Sequence, residues 1–309
     1  MNEIKIFSPA TVANVSCGFD ALGFALDTLG DEMIFRKIAT SGVQIVKIEG
    51  AKLSLNINEN VVGVVAQEML KKHPANFGIE IEIYKNFKPG SGLGSSAASA
   101  AGTAFAVNKL LGSPCSTLGL TKFAMLGEQA ACGSQIADNV SAALYGGFVL
   151  VRSYTPLDIV KLPTPNELVA TVIHPQIEVK TEDARNVLKS EVPLKDAISQ
   201  WANVGGLISG LYSNDYDLIG RSLTDVIVEP ARKHLIPHFD EVKSAAIEFG
   251  ALGAGISGSG PTIFALSKGE LTAKKVAEAM RSVYSKTNID FEIYTSTVNS
   301  QGIKILDQK

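Results

Sequence analysis

Residues Lys88 to Ala98 read KPGSGLGSSAA, and alanine-rich sequence follows. Glycines at alternate positions, paired serines and then strong helix formers predict a loop feeding the N-terminus of a helix, where main-chain N–H groups can converge on an anion. Gly90, Gly92 and Gly94 open backbone angles closed to other residues. Ser95 and Ser96 add hydroxyls, one to cap the helix and the other to reach a phosphate or a phosphate-bound metal. A tight turn followed by a good N-cap is the plainer alternative. No lysine follows the last glycine, so the loop is not the GxxxxGK[ST] of a P-loop NTPase. Any phosphate here would be held by backbone and hydroxyls.

A second cluster, GALGAGISGSGP from Gly250 to Pro261, contains GxGxxG as Gly253, Gly255 and Gly258. A dinucleotide loop leaves a strand and opens a helix. Here the pattern predicts helix, loop, strand, so that reading is set aside. His234 and His238 stand four apart, but Pro237 interrupts the turn and no HExxH follows, which argues against zinc. Cys17, Cys115 and Cys132 are odd in number without CxxC spacing; packed thiols are expected.

The elements that must position these residues can be read from periodicity. Ile4 to Phe7, Met33 to Ile38, Val43 to Ile48 and Ile79 to Tyr84 predict strands, and Asn60 to Lys72, Ser95 to Leu111 and Thr117 to Cys132 predict helices. Phe148 to Arg152 predicts a strand, and Tyr154 to Pro165, with three prolines, a connection between halves. Beyond it, strands are expected at Leu168 to His174, Thr262 to Leu266, Phe291 to Val298 and Ile303 to Leu306. Helices are expected at Leu194 to Tyr212, Phe239 to Phe249 and Thr272 to Tyr284, the first carrying Trp201 as a core residue. Without a regular βα repeat, the mixture favours two α+β layers, divided as residues 1–155 and 156–309.

The 309 residues suffice for a large core, and 46% hydrophobic with 19% charged residues excludes a largely disordered chain. A net charge of −3 gives no general attraction to nucleic acid or to an anionic membrane. With neither a signal-like start nor a membrane-length apolar run, a cytoplasmic protein acting on a small molecule is expected.

The segment PGSGLGSSAASAAG resembles the phosphate loop of the GHMP small-molecule kinases, and GAGISGSGP resembles their C-terminal glycine motif. SPATVANVSCGFDALGFAL at Ser8 to Leu26, ADNVSAALYGG at Ala137 to Gly147, TEDAR at Thr181 to Arg185 and EPARKHLIP at Glu229 to Pro237 are similar to the homoserine kinases of that family. The match runs through nearly the whole chain in the family's order. It implies an N-terminal domain like ribosomal protein S5 domain 2, a C-terminal ferredoxin-like domain, and transfer of phosphate from ATP to the hydroxyl of L-homoserine. Other alcohols, or nucleotide sensing without turnover, are the alternatives on the same fold. A homodimer is compatible with the resemblance.

Carried over residue by residue, the resemblance implies that Lys88, Pro89, Gly90, Ser91, Gly92, Leu93, Gly94, Ser95, Ser96, Ala97 and Ala98 form the ATP phosphate loop. Asn60 matches the adenine contact, although an N-cap explains it equally well. Ser96 and Glu128 would hold Mg²⁺, which commonly takes one or two protein carboxylates and keeps its waters. Arg185 and Arg232 would clamp the substrate carboxylate, Asp20 and Asp138 would offset its ammonium, and Asn14 and Asn139 would orient it. For each charged residue taken alone, a surface salt bridge is the ordinary role. Mevalonate-kinase-like members pair a first-motif lysine with an aspartate; that position here is Thr11, so Asp138 is expected to orient the substrate without acting as a strong base. The family often carries a histidine where this chain has Ile136, and its loop proline is displaced by one residue at Pro89.

Overall fold

The computed structural model describes residues 1–133, 135–179 and 181–309, with the side chains of Cys132 and Thr181 left aside. Alternating polarity in IKIF and the β-branched run after it extend the first strand, β1, over Glu3–Ala13. It pairs antiparallel with the long β2, Leu22–Ile38, and β2 pairs in turn with β4, Gly78–Tyr84. Between them in sequence lie β3, Val43–Glu49, parallel to β4, and the helix α1, Val61–Lys72. The helices α2 (Ser95–Leu110), α3 (Thr117–Cys132) and α4 (Asp138–Tyr145) follow, and α1 to α4 meet this sheet through a core that includes Ile6, Met33, Phe35, Val65, Ile81, Ala104 and Val140. Small residues on α2 let it pass through the middle of that layer.

The expected connection at Tyr154 to Pro165 is a correction. It contains β6, Leu157–Leu162, hydrogen-bonded to β5, Phe148–Tyr154, which itself joins β2. Pro156 lies in the turn between the two strands and Pro163 and Pro165 lie past the end of the second, so none of them interrupts the ladder. A division at 155/156 therefore falls inside a hairpin. The last strand, β11 (Lys304–Gln308), also returns to pair with β1, completing a seven-stranded sheet.

The intervening chain forms β7 (Leu168–Pro175), α5 (Thr181–Asn186), α6 (Leu194–Ser213), α7 (Tyr216–Ser222), α8 (Val228–Arg232) and α9 (Phe239–Glu248). It continues through β8 (Gly253–Ile256), β9 (Ile263–Lys268), α10 (Glu270–Tyr284) and β10 (Phe291–Thr297). The second sheet is antiparallel in the order β10, β7, β9, β8. The glycine cluster at Gly250 to Pro261 thus contains a strand, with glycines where backbone packs close, and it turns a hairpin into β9. Phe24 and Phe148 of the first sheet share one core with Val172 and Phe264 of the second, so the two layers are packed as one body. Trp201, expected inside, is 58% exposed on α6, because that helix packs inward through Leu207 and Leu211 on its other side. No helix among the described residues is long and apolar enough to cross a membrane. Cys17 is buried and Cys115 half-buried against His73, its Sγ 3.2 Å from Nε2; the Cys132 side chain lies outside the described residues.

Candidate active site

Helix α2 begins at Gly94, whose left-handed φ of 67° places it as N-cap with no side-chain cap hydrogen bond. Neither serine caps the helix, contrary to expectation, and the first turn faces a cavity of about 450 Å³ lined by Pro89, Gly90, Gly92, Gly94, Ser95 and Ser96. Uncapped N–H groups at the positive end of a 16-residue helix are a receptor for an anion. A Cβ on Gly90 would meet nothing within 4 Å, which leaves the rim of this cradle open.

The second glycine cluster is the scaffold behind that loop. Ser257 Oγ donates to the Gly92 carbonyl at 2.7 Å, and Thr262 donates to the Ser91 carbonyl from Oγ1 at 2.6 Å and from its backbone N–H at 3.2 Å. The backbones approach so closely that a Cβ on Gly92 would lie 2.7 Å from the Gly260 and Ser257 carbonyl oxygens. Of the GxGxxG glycines, Gly258 alone meets the loop, a Cβ there lying 3.2 Å from the Gly92 carbonyl oxygen, while Gly253 and Gly255 make room for Leu223 and Phe264.

Glu128, from α3, is 7% exposed and shares a hydrogen bond with the Ser96 hydroxyl. Burial pushes its carboxyl up to about 7, against the opposing pull of Ser96 and Lys85. One carboxylate and one hydroxyl stand together, and no group of three or more His, Cys, Asp or Glu is gathered for a metal among the described residues. That donor set fits a magnesium ion that takes its remaining ligands from water and phosphate oxygens.

Lys85 was not legible as a site residue. It follows β4, and its buried ammonium pairs with Asp31 and donates to Ser95 O at 3.0 Å and Ser99 Oγ at 3.1 Å. Burial works against the charge of both Lys85 and Asp31, and their mutual attraction offsets it. A cation thus lies beneath the first turn of α2, reached from the strand before the loop.

At the other end of the cavity, Arg185 from α5 donates to both carboxylate oxygens of Asp20 at 3.2 Å. Arg232 from α8 is 3% exposed, donates from Nε to Ala184 O at 2.7 Å and from Nη1 to Gly258 O at 3.2 Å. Both guanidinium groups lie over the Phe19 ring, at 5.9 and 4.9 Å. Burial and the neighbouring Arg185 lower Arg232 to about 10. Asp225 fixes α8 by accepting the backbone N–H groups of Ile227, Val228 and Glu229, each at 2.9 Å.

Between these ends stand Asp138 and Asn139, opening α4. Asp138 is buried and its carboxyl is pushed up to about 7, first by burial and then by Asp20, with Asn139 N–H pulling the other way at 2.7 Å. Thr11 Oγ1 donates to Asn139 Oδ1 at 2.7 Å, so the first-motif threonine orients its neighbour. Ile136 lines the cavity beside them and gives an apolar wall where the family often has a histidine.

Of the expected residues, Asn14, Asp20, Asn60, Glu128, Asp138, Asn139, Arg185 and Arg232 all line the cavity. Asn14 is engaged within the chain: its Nδ2 donates to Gly258 O at 2.7 Å and its Oδ1 accepts Asp20 N–H at 3.0 Å. Residues 14–16 all have positive φ, strain of a kind that concentrates at functional loops. Asn60 caps α1, accepting Val62 N–H at 3.0 Å, while its Nδ2 donates to Ser54 O. Lys88 points elsewhere, its Nζ bonded to Gln176 Oε1. Ser91, Leu93, Ala97 and Ala98 are buried beneath the loop and do not line the cavity. Phe19 and Lys85 line it although sequence reasoning singled out neither; an isolated aromatic and a strand-end lysine carry no local signal.

The model for the GHMP kinases N terminal domain matches residues 60–147, and that for GHMP kinases C terminal matches residues 207–286. A homoserine kinase of Chlorobium phaeobacteroides is 47% identical, covering 99% of this chain and 100% of its own length. One of Chloroherpeton thalassium is 45% identical over the same shares. The crystal structure of homoserine kinase from Cytophaga hutchinsonii superposes with a TM-score of 0.95 at 53% identity, covering 99% of this chain and 98% of that one. An uncapped helix start, its glycine buttress and full-length similarity agree, and the chain belongs to the GHMP kinase family.

Proposed function

We propose that this chain transfers the terminal phosphoryl group of ATP to the side-chain hydroxyl of L-homoserine, giving O-phospho-L-homoserine and ADP. One observation carries the reading. A single cavity joins an uncapped helix N-terminus with the Ser96–Glu128 pair at one end to an Arg185–Asp20–Arg232 cluster at the other, with Asp138 between them. The full-length similarity to homoserine kinases supports the choice of acceptor.

In this reading the α2 N–H groups and Lys85 hold negative charge on the phosphates, and Ser96 with Glu128 would hold Mg²⁺, which would supply charge neutralisation on the phosphoryl oxygens. Arg185 and Arg232 receive the amino-acid carboxylate, and Asp20 receives the ammonium once it exchanges its bond to Arg185. Asp138 orients the acceptor hydroxyl. The hydroxyl oxygen bonds to the γ-phosphorus as the bond to the bridging oxygen of ADP breaks, and the hydroxyl proton passes to a γ-phosphate oxygen. Ile136 and Phe19 keep water from the acceptor.

ADP release measured with a panel of alcohols tests the assignment. L-homoserine should turn over well ahead of mevalonate and galactose. Faster turnover of another alcohol reassigns the acceptor, and ATP binding without turnover of any alcohol replaces the kinase with a sensor.

A further inference from the structure

The ladder between β2 and β5 ends in a side-chain link. Leu150 stands opposite Leu22, and the Val151 N–H donates to Ala21 O at 2.7 Å. The chain before Ala21 leaves the sheet, with positive φ at Asn14, Val15, Ser16 and Asp20. Tyr154, the last residue of β5, takes up the link there with its hydroxyl. It donates to Asp20 O at 3.1 Å and accepts the Ala137 N–H at 3.3 Å. A phenolic hydroxyl has one proton to give and lone pairs to receive, so a single atom serves both segments.

Each of those two backbone groups adjoins a carboxylate of the acceptor end. Asp20 has φ 54°, a left-handed angle that a non-glycine residue keeps only where its neighbours hold it. Asn14 Oδ1 accepts its N–H at 3.0 Å and Tyr154 holds its C=O, which aims the side chain at Arg185. Ala137 is the N-cap of α4 without a side-chain cap hydrogen bond, and Asp138 is the first residue of that helix. The two carboxylates repel, since Asp20 is among the charges that raise Asp138. Segments that carry like charge to one cavity must be tied together. Burial, then Asp138 and Asp20, push the Tyr154 hydroxyl up to about 12, so the tie keeps its proton at neutral pH.

We propose that Tyr154 is a positioning residue of the acceptor site, its hydroxyl fixing Asp20 and Asp138 so that they meet the ammonium and the hydroxyl of one acceptor molecule. The assignment rests on the reading of that end of the cavity as the homoserine site. Tyr154 is not among the residues that line the cavity, so it acts through its neighbours. Neither of its two hydrogen bonds goes to the phosphate loop or to Glu128. Loss of the tie therefore falls on the acceptor and spares the nucleotide.

Tyr154→Phe removes one oxygen from a side chain that is 42% exposed, and leaves the packing of its ring in place. KM for L-homoserine should rise about 5- to 20-fold, as two neutral hydrogen bonds are lost, while KM for ATP stays within about 2-fold. With Asp20→Asn already present, the same change should add less than about 2-fold to KM, because the residue it acts through is gone. A role in stability alone would lower the melting temperature without this coupling. Amide exchange followed by NMR reads the tie without turnover: the Ala137 N–H should exchange at least about 10-fold faster in Tyr154→Phe, with Val151 unchanged. If the parent chain turns over a different alcohol, the same split in KM with that alcohol keeps the role of Tyr154 and removes homoserine. Unchanged Ala137 exchange, equal rises in both KM values, or costs that multiply with Asp20→Asn overturn the proposal.

Discussion

Arg185 and Asp20 neutralise one another across the cleft, one nitrogen of the guanidinium reaching both carboxylate oxygens at 3.2 Å. Each side chain is 35% exposed, so the pair contributes little to stability and is available for exchange. A zwitterion carrying one carboxylate and one ammonium can replace both halves of the bond. Arg185→Ala should raise KM for homoserine about 10- to 100-fold, the worth of roughly 1.5–3 kcal/mol for a charge-assisted hydrogen bond, and leave KM for ATP nearly unchanged. Asp20→Asn should act in the same direction. Steady-state kinetics with each substrate varied decides it; equal rises in both KM values would place the pair outside the acceptor site.

Glu128 and Asp138 should set the acid limb of the pH profile. Each is raised to about 7 by burial, from ordinary values of 4.5 and 3.8. Both therefore bind protons more tightly folded than unfolded; the stability this contributes is full below about pH 4 and is lost as pH rises through 7. Glu128→Gln and Asp138→Asn, without ligands, should raise the melting temperature more at pH 8 than at pH 5. In the active enzyme, kcat/KM should fall as pH drops below 7, and raising Mg²⁺ should shift the Glu128 part of that limb to lower pH.

If Asp138 orients the hydroxyl, Asp138→Asn should slow single-turnover phosphoryl transfer by less than about 10²-fold, the lower bound for a lost general base. Glu128→Gln should cost more. Equal losses would make Asp138 the base.

Gly90 and Gly92 both have positive φ, 76° and 83°, but only Gly92 is pressed against other backbone. Gly90→Ala should cost about 1–2 kcal/mol of conformational strain. Gly92→Ala should cost more and weaken binding of an ATP analogue, because a Cβ there pushes the loop off Gly260 and Ser257. Thermal melting with calorimetric titration separates the two; similar outcomes would show that the buttress does not hold the loop.

Much of this site was legible because its chemistry is local. Alternate glycines before an alanine-rich run specify a loop and a helix start within eleven residues, and Lys88 to Ala98 forms both. Asn60 announced a helix cap and provides one. Lys85 and Phe19 were hidden because their meaning lies in tertiary neighbours: Asp31 is 54 residues away from Lys85, and Arg232 reaches Phe19 from the other half of the chain. The short helices α5, α7 and α8 offered too few turns for periodicity to register. Trp201 misled because α6 has two apolar sides, and a periodic pattern does not say which of them the fold covers.

The central claim, that phosphoryl leaves ATP for the homoserine hydroxyl, is tested most directly by phosphorus NMR of a mixture of the folded protein, Mg-ATP and L-homoserine. A phosphomonoester resonance growing in step with ADP is the predicted result. ATP consumed to ADP and inorganic phosphate alone, or left intact, would contradict the account.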